Sequence, residues 1–547
     1  MFEHSRCVFG LAKPLSRPSG SPSVGPMARG RFYAPIRGFL TLSNGIALLC
    51  LILGAWLLCV GSLRRPQIGD FMDDGEYFVA AQSIRDGHGY RLPSRPSSPP
   101  EAKYPPGLSL ITAGLLPAKG STLEADFRAA RAVATLAAVV FAVASFCTLR
   151  LLGVSGLVAA CCVGPALWND MFLNESLSLL SDIPYAACCT LAALVWALLR
   201  SGKAKPTAVV ALALGLVSGA SVALRSNGVA LLMAFLVLAW EASRRWRFAG
   251  VYLSAASLLL MLVRAVTKAG ASVAPSEPYS VNWVAYSSMK TAVTIPLTNL
   301  VSYAKAIPAL LVPELNANVL SRQTALTTGI RIVVWLAILR GAWTVRRNVR
   351  SIDAAPISFA LLTGTICLVW PWSLSLRPVV PFMPFLVATA ILGVPPKPRW
   401  RFSSASVASA GVLVLVAVQS AMTVRSIRLA SHALDQALEF LRERTEANAV
   451  IVTQLPETAY LYTGRQAVKL LNDSDAISHN LGKWDSINAW EHVAKDRPFY
   501  VLGPPYTKGN DGIIERHLAG LVANAPGRLQ ELYRTKSGEW AVFRVIT

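Results

Sequence analysis

The sequence predicts a mainly α-helical, polytopic membrane protein with about eleven transmembrane helices and a small C-terminal α/β domain on the extracytoplasmic side. Three observations predict it. The 547-residue chain is 53% hydrophobic and only 15% charged, with a mean hydropathy of +0.46, and its apolar residues gather into runs near the roughly 20 residues that cross a hydrocarbon core. The short connections between these runs alternate in charge. From Arg425 onward the long apolar runs give way to mixed polar sequence.

The spans are read near Phe39–Ser62, Arg128–Leu151, Val154–Phe172, Leu177–Leu199, Thr207–Leu224, Gly228–Trp240, Gly250–Thr267, Thr324–Ala342, Pro356–Trp372, Pro378–Val394 and Ser404–Met422. Basic clusters at Arg200/Lys203/Lys205, Arg244/Arg245/Arg247, Arg346/Arg347/Arg350 and Lys397/Arg399/Arg401 all fall on one side, which the positive-inside tendency makes cytoplasmic. An odd number of spans then puts the amino terminus inside and the tail outside. Residues 1–38, rich in Pro, Ser, Gly and Arg, are expected to be a disordered basic tail. Met27, followed by Ala-Arg-Gly-Arg, is a candidate start, and no small-residue cleavage site makes the first span a removable signal. The membrane domain is 39–424, with outer loops at 62–127 and 268–323.

The formal charge of +22 does not indicate a nucleic-acid partner. The segment from Arg425 holds 15 basic and 14 acidic residues, so most of the excess lies in the membrane part, where cytoplasmic connections account for it. Of the nine cysteines, eight lie in or beside spans and Cys7 is in the basic tail. They form no disulfide framework or zinc spacing and read as small apolar fillers.

The outer side carries the chemistry. Asp70-Phe-Met-Asp-Asp-Gly-Glu-Tyr77 packs four carboxylates beyond the first span. Tyr77, Ala80, Ala81 and Ile84 have helical spacing, so a short amphipathic helix is expected to begin at Asp73. Asp73 and Glu76 have capping-box spacing, which explains one or two acids. Four together repel one another without a cationic partner or a metal, and that surplus points to a site. The loop continues through Gly87-His-Gly-Tyr90 into Lys103-Tyr-Pro-Pro-Gly107 and a second apolar segment, Leu108–Leu116, too short to span. Pro106 suits its first turn, and Gly107 permits close backbone approach. His88 reads as a solvated loop residue.

Asp182, in Ser181-Asp-Ile-Pro184, sits at the start of a span, where a charge is costly unless it caps a helix or serves a function. Arg225 and Arg377 lie at outer ends of spans, against the positive-inside tendency, where each can snorkel to headgroups or hold a phosphate with its planar fork. The tail, 425–547, shows an amphipathic helix at Ala433–Leu441, apolar runs at Ala449–Thr453, Phe499–Leu502 and Trp540–Val545, and a turn through Pro456.

These pieces together resemble the C superfamily of membrane glycosyltransferases (GT-C), specifically the group using polyprenyl-phosphate sugars, such as protein mannosyltransferases and the aminoarabinose transferase of lipid A. The matching pieces are Asp73-Asp74-x-x-Tyr77, Ala81, Gly87-x-Gly-Tyr90, Tyr104-Pro-Pro-Gly107, Ser181-Asp-x-Pro184 and Arg377-Pro-x-x-Pro-x-x-Pro384, in that order over 39–424. The resemblance implies a GT-C-like helical bundle and inverting transfer from a polyprenyl-phosphate-linked sugar to a lipid, glycan or protein acceptor at the outer face of a bacterial inner membrane. It makes Asp73 the catalytic base. Asp74, Lys103, Tyr104, Asp182, Arg225 and Arg377 become candidates for donor-phosphate or acceptor binding. A divalent ion, Mg or Mn, held by Asp74 and Asp182 is a candidate cofactor. One departure is local: aminoarabinose transferases have Glu-Lys directly before Pro-Pro, whereas Tyr104 takes that adjoining place here and Lys103 lies one residue further. In the tail, Gly464-Arg465 stands where similar tails carry Gly-Arg and is open to a structural or a ligand-contact role. Two rival classes are a transporter or lipid flippase, which would place ionisable groups near mid-membrane, often in repeated halves, and a non-catalytic scaffold. Convergence of Asp73, Asp182 and Arg377 would count against the scaffold.

Overall fold

A computed structural model of the chain describes residues 68–167, 178–268, 289–311, 325–346, 353–369, 377–393, 433–469, 497–503 and 527–546, except for a few positions within these ranges, together with Phe172, Val349 and several positions in 45–54. The elements below lie within the unit Leu42–Thr547. The predicted span 404–422, Asp70 and most of the first span fall outside the described residues.

Two short helices fill the first loop, α1 (Met72–Arg85) and α2 (Gly107–Leu115), as the amphipathic spacing and the Pro-Pro-Gly lead predict. Then come α3 (Leu123–Leu151), α4 (Gly156–Leu167), α5 (Asp182–Arg200), α6 (Ala208–Leu224), α7 (Gly228–Ser243), α8 (Trp246–Lys268), α9 (Met289–Leu311), α10 (Ala325–Val345) and α11 (Ala354–Val369). A 3-10 turn, Arg377–Phe382, leads into α12 (Met383–Gly393). Start signals account for several boundaries. Thr122 accepts the N–H of Ala125 at the head of α3, with Glu124 and Asp126 in its first turn and Arg150 in its last, so each end carries the charge that complements the helix dipole.

By length and composition four described helices can cross a membrane: Leu123–Leu151, Asp182–Arg200, Trp246–Ala265 and Thr328–Val345. Several shorter apolar helices accompany them. Leu258, Met261 and Leu262 on α8 and Val333, Leu336 and Leu339 on α10 are exposed, which costs little only against lipid. The inner faces form two cores, one around Phe141, Phe146 and Phe172, the other around Tyr185, Phe235 and Tyr252.

One boundary differs from expectation. The fourth span is expected from Leu177, but α5 begins at Asp182, because Pro184 occupies the first turn, where its missing N–H leaves no bond unmade. Residues 268–323, read as the second large outer loop, include the 23-residue α9 with Pro296 and Pro308 inside it. The two prolines and the polar residues between them disguise its helical period.

α2 meets α6 through Gly107. A Cβ there would lie 2.5 Å from the Ala223 carbonyl oxygen and 2.6 Å from its carbon, so only glycine permits this approach. Gly107→Ala is expected to cost about 1–3 kcal/mol by overpacking, read as a fall in thermal unfolding temperature in detergent. Gly114→Ala on the same helix, where a Cβ meets nothing within 4 Å, should be neutral or stabilising.

The C-terminal part is a five-stranded sheet in the order β2-β1-β3-β5-β4, from β1 (Val450–Thr453), β2 (Gln466–Lys469), β3 (Phe499–Gly503), β4 (Leu529–Arg534) and β5 (Ala541–Val545). β1 runs parallel to β2 and β3; β5 is antiparallel to β3 and β4. The predicted amphipathic helix is α13 (Ala433–Arg444), whose Leu434, Leu438 and Leu441 are buried with Ile451, Tyr500 and Val542. The turn expected at Pro456 is instead the head of α14 (Pro456–Thr463), closed by Gly464 in the left-handed region at φ 73°.

Candidate functional site

Asp73 lies in the first turn of α1, and its carboxylate accepts hydrogen bonds from the Tyr104 hydroxyl and from Arg377 Nη1, the latter at 3.2 Å. Arg377 opens the 3-10 turn that Pro378 and Pro381 help to fix. The same Nη1 stands 3.9 Å from Asp182 Oδ2, and Arg225 also pairs with Asp182. Asp182 is in the first turn of α5 and Arg225 directly follows α6. Five residues predicted separately from sequence are therefore joined by hydrogen bonds and ion pairs: Asp73, Tyr104, Asp182, Arg225 and Arg377.

The two acids differ in what they can meet. The Asp73 side chain is 29% exposed and that of Asp182 is 2% exposed. Asp73 can face an incoming group, while Asp182 is a buried counter-charge that orients the two guanidinium groups. Burial pushes the Asp73 carboxyl up, but the Lys103 charge, the Tyr104 hydrogen bond and Arg377 outweigh it and hold it below its ordinary value of 3.8. It stays ionised at neutral pH.

Tyr104 is set from several sides. Its carbonyl accepts from the Tyr90 hydroxyl at 3.0 Å and its N–H donates to Glu101 Oε1 at 3.1 Å. Its ring is tilted against Tyr77 at 4.9 Å between centroids. Tyr77 in turn donates to Ser181 Oγ at 3.1 Å, beside Asp182. The Gly87-x-Gly-Tyr90 pattern has a conformational reason, since Gly87 and Gly89 have φ of 83° and 78°, and these turn the chain back from α1 toward Tyr104.

The remaining candidates have other partners. Lys103 Nζ sits 4.4 Å from the Tyr104 ring centroid and 3.6 Å from Glu76 Oε2. Asp74 is fully buried; its Oδ2 accepts the Gly69 N–H at 2.9 Å and its Oδ1 the Gly75 N–H at 2.8 Å. Asp74 thus holds the backbone on both sides of the helix start, and Glu76 turns to Arg95. A metal held by Asp74 and Asp182 does not fit this arrangement, because Asp74 spends its oxygens on backbone N–H groups and Asp182 faces two arginines. Among the described residues no group of three His, Cys, Asp or Glu could hold a metal ion.

Sequence reasoning missed the partners of Glu76. Arg95 Nη2 donates to Glu76 Oε1 at 2.7 Å and its Nε to Glu457 Oε1 at 3.1 Å, so α1 and α14 share one guanidinium. The surplus of acids in 70–76 was the available signal, as it required a cation. The Arg465 guanidinium donates to the carbonyls of Thr463, Arg442 and Thr445, a structural brace between α14 and α13. His88 is exposed, as expected.

The chain shares its overall fold with solved structures of ArnT and of an archaeal oligosaccharyltransferase. ArnT from Cupriavidus metallidurans in the apo state superposes with a TM-score of 0.53 at 14% identity, covering 92% of this chain and 98% of that one. The Archaeoglobus fulgidus oligosaccharyltransferase in its apo form superposes with a TM-score of 0.54 at 14% identity, covering 85% of this chain and 70% of that one. Its complex with Zn and sulfate gives 0.52 at 13%, covering 90% and 72%. No protein-family model and no curated protein matches the sequence.

Proposed function

We propose that the protein is an inverting glycosyltransferase that moves a sugar from a polyprenyl-phosphate donor to a lipid, glycan or protein acceptor at the outer face of a bacterial inner membrane. In this reading eleven spans carry the site and residues 425–547 lie outside the cytoplasm. The observation that carries it is Arg377 standing between Asp73 at 3.2 Å and Asp182 at 3.9 Å. A scaffold has no need to hold an ionised, partly exposed carboxylate beside guanidinium groups. A transporter would place such groups along a helix interior at mid-membrane, whereas Asp73 is in the first turn of a 14-residue helix that is not among the membrane-length ones.

The chemistry follows from the residues. A sugar on a lipid phosphate already has a good leaving group, so no general acid is required. As the acceptor oxygen bonds to the anomeric carbon, its proton passes to Asp73, and the carbon–oxygen bond to phosphate breaks with its electron pair left on the phosphate. Arg377, with Arg225 and Lys103 behind it, faces the charge that grows there. Attack opposite the leaving group inverts the anomeric centre.

The test is transfer by purified protein in liposomes from a polyprenyl-phosphate sugar, with the product's anomeric configuration read by NMR. Inverted product supports the reading; a retained configuration, or no donor consumption with any envelope acceptor extract, counts against it. The lowered Asp73 carboxyl adds a pH signature. A depressed carboxylate is lost only as pH falls through its folded value, so the acid limb of kcat/KM should lie below 3.8. In Arg377→Met the limb should move upward, as rate profiles over pH 3–8 would show.

A further inference from the structure

The C-terminal part touches the first loop at several points around α1. Thr458 Oγ1 donates to the Gly69 carbonyl at 2.9 Å, and Gly69 N–H in turn holds Asp74. A Cβ on Gly75 would lie 2.8 Å from Glu457 Cβ, so the first turn of α1 rests directly on α14. The Ala467 N–H of β2 donates to the Ser94 carbonyl at 2.7 Å, which fixes the backbone next to Arg95. Arg95 then joins Glu457 to Glu76, and Glu76 reaches Lys103.

We propose that α14 is a built-in wall of the catalytic site and that Glu457 is a positioning residue, acting through Arg95 and Glu76 on the turn that carries Asp73 and on Lys103. This rests on the glycosyltransferase reading above for its rate consequences, though not for its structural ones. It differs from a tail that merely covers the site or receives the acceptor, since a cover can leave the base in place when removed.

The cluster is demanding to build. Glu76, Glu101 and Glu457 are each over nine-tenths buried and each keeps one oxygen without a protein hydrogen-bond partner, with Arg95 and Lys103 as the nearby cations and Tyr90 alongside. Burial, and then the Glu76 charge, raises the carboxyls of both Glu101 and Glu457. Glutamine keeps the shape of Glu457 and the side-chain oxygen that accepts from Arg95 Nε. Leucine does not, and strands one arm of a half-buried guanidinium.

The experiment compares Glu457→Leu, Glu457→Gln and Thr458→Val in the full-length protein by hydrogen–deuterium exchange and by steady-state transfer. Glu457→Leu should speed exchange across the first turn of α1 by about ten-fold and lower kcat by about ten-fold, with donor KM within about two-fold. Glu457→Gln should restore both to within about two-fold of wild type. Thr458→Val, a milder change that serves if the leucine variant fails to fold, should shift both in the same direction. Unchanged exchange in α1 for the folded leucine and valine variants overturns the proposal. So does faster exchange spread evenly over the chain with kcat intact, which would make Glu457 structural only. The exchange arm needs no sugar, so a wild type that transfers nothing would reject the glycosyltransferase reading while leaving this one to be decided on its own.

Discussion

Arg225→Met is expected to destabilise the folded protein by about 3 kcal/mol, because breaking a buried ion pair leaves an uncompensated charge. Asp182 is 2% exposed and Arg225 pairs with it directly; the remaining cation, Arg377, stands 3.9 Å away and is shared with Asp73. Methionine keeps much of the arginine's stem and none of its charge, so the loss isolates the electrostatic part. The measurement is thermal unfolding in detergent followed by intrinsic fluorescence. A double variant, Arg225→Met with Asp182→Leu, should recover most of the lost stability, since a buried apolar pair of similar volume replaces a buried ionic one at little net cost. If the double variant is as unstable as the single one, the pairing is not what holds α5 to α6 here.

Asp73→Asn is expected to lower the rate of sugar transfer by about a thousand-fold, within the range that general-base catalysis supplies. The amide is isosteric and can still accept from Tyr104, but it cannot take a proton from an acceptor hydroxyl. Donor binding should change far less, because the phosphate is met by Arg377 and its neighbours and not by the carboxylate. Loss in kcat with a nearly constant donor KM is the pattern that separates a missing base from a collapsed site. Asp182→Asn should behave differently: with the buried charge gone, Arg225 and Arg377 lose their common anchor, and donor KM should rise together with the fall in kcat.

Much of this site was legible because its chemistry runs against its surroundings. Asp182 and Arg377 stood out as charges at the ends of apolar spans, and Asp73 stood out among too many acids in one turn. The helices α3, α5, α6 and α8 were legible from apolar runs flanked by basic connectors, and β1, β3 and β5 from short β-branched and aromatic runs. Edge strands β2 and β4 were not, being rich in polar residues such as Gln466, Lys469, Gln530 and Glu531, with no alternation to mark them. α9 was hidden by Pro296 and Pro308. The partner of Glu457 was beyond local reading for a plainer reason: Arg95 is 362 positions away, and no periodicity encodes a contact at that distance. The different partners of Asp73 and Asp74 were likewise undecidable from adjacent identical residues, since each is set by chain far away in sequence or by the local turn.

The central claim is that Asp73, held ionised beside Tyr104 and Arg377, takes the acceptor's proton as a sugar leaves its lipid phosphate. Its most direct test is single-turnover breakdown of a radiolabelled polyprenyl-phosphate sugar, with acceptor present, by wild-type protein and Asp73→Asn reconstituted into the same liposomes. The account predicts acceptor-dependent release of the label by wild type and a rate about a thousand-fold lower in the variant, at equal donor binding. Equal single-turnover rates for the two proteins would contradict it.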